Sequence, residues 1–116
     1  VTVKRFTGSA WESVGNAEFS VGTSSSASIS IAFDSDGTPY VAYRDDARRN
    51  RVTVMKYESN TWSPVGNSGF SADDASWVRL ARDSKDNMNV SYTSYTGNSY
   101  KSKLTVMKYD PYLHQP

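Results

Sequence analysis

With one histidine and no cysteine among its 116 residues, this chain must do most of its side-chain chemistry with arginine, aspartate and aromatic rings. Its densest charge cluster is Arg44-Asp45-Asp46-Ala47-Arg48-Arg49-Asn50-Arg51. Arginine forks pair carboxylates, phosphates or sugar hydroxyls, so Arg44, Asp45 and Asp46 are candidate contacts to a polar ligand. The same cluster also reads as a solvated hairpin tip that keeps a sheet edge soluble. A second group is Trp77, Arg79 and Arg82. An indole face beside Arg and Asp suits a sugar ring, stacking on its C–H face while the polar groups fix its hydroxyls. At a packed interface between units, Trp and Arg serve equally as anchors. Tyr95, with Tyr92, Tyr100 and the Gly97-Asn98 turn, makes an aromatic hairpin tip of the kind recognition loops use, although Tyr is common at ordinary strand ends.

Catalysis is not expected. His114 stands third from the end of the sequence, away from any nucleophile or ligand set it could complete. There is no phosphate-cradling Gly-rich loop and no nucleophile elbow. Asp45/Asp46 and Asp73/Asp74 are adjacent carboxylates, which diverge in a turn rather than straddle a bond. Asp34/Asp36 and Asp83/Asp86 have the oxygens a hard cation wants, but no complete calcium loop follows either pair. Backbone hydrogen bonding accounts for Asp-rich turns, so neither metal nor another cofactor is expected.

Thirteen basic and 12 acidic side chains, net +1, create no broad field for nucleic acid or an anionic membrane surface. No apolar run approaches the roughly 18 residues of a spanning helix, so neither partner is expected. Only 20 residues are Leu, Ile, Val or Phe, which leaves a single central core underfilled. Low charge and 15 aromatic residues nevertheless place the chain among folded domains.

Internal repetition organises the elements that would carry these groups. Positions 6–20, FTGSAWESVGNAEFS, match positions 57–71, YESNTWSPVGNSGFS, with Trp11/Trp62, Val14/Val65, Gly15/Gly66, Asn16/Asn67, Phe19/Phe70 and Ser20/Ser71 identical. Positions 31–43, IAFDSDGTPYVAY, align with 80–92, LARDSKDNMNVSY, and VTVMKY at 52–57 returns as LTVMKY at 104–109. The opening VTVKRF is a further copy of that segment. Recurrent Trp11 and Trp62, with Phe19 and Phe70, read as core.

Period-2 and β-branched stretches between turn residues predict antiparallel strands at 1–6, 11–14, 28–33, 40–44, 52–57, 62–65, 77–82, 89–95 and 104–109. Asp34-Ser35-Asp36-Gly37 supplies a tight turn, and Pro39 opens the following strand, where a missing donor does least harm. Val52, Val54, Met55 and Tyr57 are apolar on both parities, as in a strand covered on both faces.

The segment IAFDSDGTPYVAYRDDARRNRVTVMKY, with its Asp-x-x-Gly turn and Tyr-Val-Ala strand, resembles the NHL-type blade and related β-propeller repeats. The resemblance spans nearly the whole chain, with a departure where Gly37, Thr38, Pro39 and Tyr40 become Asp86, Asn87, Met88 and Asn89. It implies an all-β fold of four-stranded antiparallel propeller blades: 1–15 gives the third and fourth strands of a partial blade, 16–66 a complete blade, 67–109 an incomplete one and 110–116 a tail. It also implies that the connections 16–27, 44–51, 67–76 and 94–103 share one ligand-binding rim, and that Trp77, Arg79 and Arg82 lie on the strand lining the axial channel.

About two blades do not close a ring, which typically needs 4–8. Either the chain associates head-to-tail with itself, three copies supplying six blades, or it is a piece of a longer propeller. The first arrangement resembles the two-blade fungal and bacterial fucose-binding lectins. It implies a non-catalytic, lectin-like binding module whose partners are further copies of itself and a glycan. The alternative is a protein-interaction or structural scaffold without a small-molecule site. Because 1–6 and 104–109 are copies of one strand, closure also requires that one of them be displaced, swapped or otherwise paired.

Overall fold

The computed structural model describes residues 1–17, 29–71, 74–95 and 102–109. Phe19, Asp73, Gly97, Asn98, Tyr100, His114 and the 110–116 tail lie outside the described residues. Within them the protein is all-β, with nine strands in three antiparallel sheets. The first sheet pairs β1 (Lys4–Phe6) with β2 (Trp11–Ser13). The second runs in the order β3 (Ile29–Phe33), β4 (Pro39–Asp45), β5 (Arg51–Glu58) and β6 (Thr61–Pro64). In the third, β7 (Ala75–Arg82), β8 (Met88–Tyr95) and β9 (Ser102–Tyr109) lie side by side in chain order. All nine sit where the alternating pattern predicts strands, within a few residues at their ends.

Turn chemistry sets the order. Asp34 Oδ1 accepts from the backbone N–H groups of Asp36 at 3.0 Å and Thr38 at 2.9 Å, and so closes the β3–β4 hairpin. Asp83 Oδ1 does the same for Lys85 at 2.9 Å and Asn87 at 3.0 Å between β7 and β8. The departure at Gly37 therefore does not change the turn. Asp86 adopts the left-handed conformation, φ 66°, one of the few non-glycine types that tolerates it. Its carboxylate is fixed by Ser35, which donates through its N–H at 2.9 Å and its hydroxyl at 3.0 Å. Ser59 and Asn60, at φ 55° and 64°, make the two-residue turn from β5 to β6 whose twist matches the strands it joins.

The sheets pack through two interfaces built from repeat-equivalent positions. Tyr40, Ala42, Val52, Val54 and Val65 of the second sheet meet Val78, Leu80, Val90 and Tyr92 of the third. On the other face Val41, Tyr43 and Trp62 meet Val1, Val3 and Val14 of the first sheet. Val1, Val3 and Val14 correspond in the repeat to Val52, Val54 and Val65, and Val41 and Tyr43 to Val90 and Tyr92. Thus β4 is covered on both faces: Tyr40, Val41, Ala42 and Tyr43 are all at most 3% exposed. A buried side chain the size of Val41 or larger contributes on the order of 1.5–3 kcal/mol by leaving water, which is how thin sheets with few Leu and Ile hold together.

Candidate functional site

The β4–β5 connection and the start of β7 form one rim. Asp45 caps the short 3₁₀ turn Asp46–Arg48, its Oδ1 accepting from Ala47 N–H at 3.1 Å. Its Oδ2 accepts from the Thr53 hydroxyl at 2.8 Å, and Thr53 Oγ1 in turn accepts from Gly69 N–H at 2.8 Å. Asn50 then accepts from Ala75 N–H at 2.8 Å, which fixes the first residue of β7 against this turn. Burial, helped by the neighbouring Asp45 carboxylate, pushes the Tyr43 hydroxyl up to about 12.

This arrangement divides the residues singled out by sequence. Asp45 is 2% exposed and its two oxygens are engaged by Ala47 and Thr53, so it braces the turn from inside instead of facing solvent at a hairpin tip. Asp46 is exposed on the 3₁₀ turn. Arg44 is half-buried on β4, and its Nε is buried without a hydrogen-bond partner among the described residues. Trp77 is 61% exposed, and it sits where the β7–β8 ladder slips. Ser76 opposes Thr93 and Arg79 opposes Ser91, so Trp77 and Val78 share one partner position. Such a bulge re-aims side chains: Val78 is fully buried while Trp77, at φ 55°, is turned out.

Arg79 is exposed, two residues further on, and its Nη1 donates to the Val78 carbonyl at 2.8 Å. Arg82 stands at the opposite end of β7, roughly 16 Å along the strand from Trp77, with its Nη1 3.8 Å from Asp86 Oδ1. Trp77 and Arg79 thus share the first half of β7, whereas Arg82 is at its far end. Tyr95 ends β8 opposite Ser102, at the same end of the sheet as Ala75 and its partner Ser94.

Sequence reasoning placed weight on Arg44, Asp45 and Asp46, but the polar cleft at this rim, about 250 Å³, is lined by Ala47, Arg48, Arg49, Arg51, Ser68 and Gly69. Gly69 belongs there because the chain passes so close to Arg48 that a Cβ on the glycine would come within 2.6 Å of the Arg48 Cβ. The three arginines were visible in the charge cluster; their meeting with a segment some twenty residues away was not. Elsewhere the Asp34 and Asp83 carboxylates close turns. Among the described residues no cluster of three or more His, Asp or Glu side chains could hold a metal, and no helix is long and apolar enough to cross a membrane. No family model matches the chain, and neither curated proteins nor solved structures give a match.

Proposed function

We propose that this protein is a non-catalytic binding module made of propeller-type blades, with carbohydrate as its ligand. The observation that carries the reading is the outward-turned Trp77 indole at the β7 bulge, with the exposed Arg79 two residues further along the same strand. A flat, exposed aromatic face takes the apolar side of a sugar ring, and arginine forks take hydroxyls or a carboxylate. The Arg48, Arg49 and Arg51 cleft on the same rim favours glycans that carry an acidic group. Paired catalytic carboxylates and an activated nucleophile do not enter this reading.

A glycan array probed with the intact protein tests it, with neutral and acidic sugars side by side. Binding is expected to be lost in Trp77→Ala while stability changes by no more than about 0.5 kcal/mol, because the side chain is largely in water. Absence of binding across the array, with the fold intact, favours instead the scaffold reading, in which the blades serve only as packing surfaces.

A further inference from the structure

The surroundings of Trp62 form a socket whose repeat equivalents line a cleft at the third sheet. Tyr57 and Trp62 face each other across the β5–β6 ladder with ring centroids 5.4 Å apart. The indole Nε1 donates to the Val14 carbonyl at 2.8 Å. It also lies directly against Gly15, where an added Cβ would come within 2.8 Å of the ring.

The repeat equivalents of Tyr57, Val14 and Gly15 are Tyr109, Val65 and Gly66. These three, with Leu80, Val90 and Met107, line an apolar cleft of about 170 Å³, and the Cβ direction of Gly66 is open space. An apolar cavity of about 150 Å³ accepts a benzene ring. Among the described residues β9 is the edge strand of its sheet, and the sequence that follows it, DPYLHQP, has no match to the Trp-x-x-Val-Gly run at 62–66. That run is matched instead at 11–15, on β2, where Trp11 is 67% exposed.

We propose that this cleft receives Trp11 of a second copy of the chain, whose β2 adds to the outer edge of β9 as a fourth strand. By the register of β5 and β6, Tyr109 lies opposite Trp11, Lys108 opposite Glu12 and Met107 opposite Ser13. Within one chain those three positions of β2 pair with Phe6, Arg5 and Lys4, so β9 of one copy takes the place of β1 in the next. The duplicated strand is thereby accounted for: Thr105 and Val106 replace Thr2 and Val3, and Lys108 replaces Arg5 beside Glu12.

The exchange keeps the ladder and changes the burial. Leu104 and Val106 are 72% and 63% exposed, whereas their equivalents Val52 and Val54 are 0% and 6%. Ile29 and Ile31 are 39% and 46% exposed, whereas their equivalents Val78 and Leu80 are 0% and 8%. Stacking the third sheet of one copy on the second sheet of the next covers both sets at once, repeating the interface that each chain already contains. The contact is head-to-tail, with one plug and one socket per copy, the kind of interface that makes a ring when its rotation closes. The proposal rests on reading the sheets as stacked repeat units and is independent of any sugar.

Light scattering of the intact chain at micromolar concentration tests it, with a defined oligomer as the expected result. Trp11→Ala and Val106→Lys, both at side chains exposed in the single copy, should each lower the mass to that of one 12.9 kDa chain without loss of the β circular-dichroism spectrum. Mixed in equal amounts, the two variants should form a dimer, because the first retains the socket and the second the plug. A monomeric wild type, an oligomer that survives Trp11→Ala, or a mixture that stays monomeric overturns the proposal. A blank glycan array alters none of these masses, so the two readings fail separately.

Discussion

The indole nitrogen of Trp62 donates to the Val14 carbonyl oxygen at 2.8 Å, joining residues 48 positions apart. Through this bond and the Val41–Tyr43 face, the two-stranded β1–β2 hairpin is held on the second sheet. A ladder of three residue pairs would be marginal by itself.

Trp62 should therefore show two separable contributions. Trp62→Phe removes the donor and keeps most of the ring, at a cost of about 1 kcal/mol. Trp62→Ala empties a buried site and should cost about 3–5 kcal/mol. Urea denaturation followed by circular dichroism reads both, and equal losses for the two variants would show that the bond, not the packing, holds the hairpin.

Gly15 and Gly66 form a matched pair with φ values of 73° and 72°. Alanine at either position meets the left-handed penalty of about 1–2 kcal/mol. At Gly15 the new Cβ also meets Trp62 at 2.8 Å and Tyr57 at 2.9 Å, an overpacking worth about 1–3 kcal/mol more. In a Trp11→Ala background, Gly15→Ala should have the lower melting temperature of the two.

Thr53 is 1% exposed and links Asp45 to Gly69 through its hydroxyl. Thr53→Val keeps the shape but leaves the Gly69 N–H without this acceptor and Asp45 without one of its donors. The expected loss is about 1–3 kcal/mol, measured by thermal denaturation, and the rim around Arg48 should loosen with it. No loss would mean that the turn is held by backbone bonds alone.

Burial is the main reason that the Tyr40 and Tyr43 hydroxyls are pushed from 10.0 up to about 12. Folding therefore favours their neutral forms. That contribution to stability is complete below pH 10 and is lost as pH rises through about 12. Ultraviolet titration of the eight tyrosines should show these two ionising last, together with unfolding. Ionisation of every tyrosine near 10 with the fold intact would contradict the burial of β4. On the acid side, the Asn87 backbone N–H leads the hydrogen bonds that hold the Asp83 carboxyl below 3.8, so its contribution is complete above that value and declines only beneath it.

Strand positions were legible because alternation of side chains and Asp- or Asn-bearing turns are local properties. The β3–β4 and β7–β8 hairpins could be placed from Asp34 and Asp83 alone. The conformation of Asp86 was harder to read, since a carboxylate in place of Gly37 suggests a different turn, and the group that steadies it, Ser35, is 51 positions away. Trp77 could be singled out as an indole close to Arg79 and Arg82 in the sequence, but the bulge that turns it outward is a slip between β7 and β8. A slip of that kind depends on the registers of two strands together.

Composition and repetition, read alone, determined an all-β chain of similar units, a recurrent Trp-x-x-Val-Gly segment and a strand segment present three times, at 1–6, 52–57 and 104–109. Tertiary structure decided which of those repeated side chains are covered. Val52 and Leu104 occupy one repeat position, yet the first is 0% and the second 72% exposed. The difference lies in whether another sheet stands against them, and burial is a property of neighbours rather than of residue type.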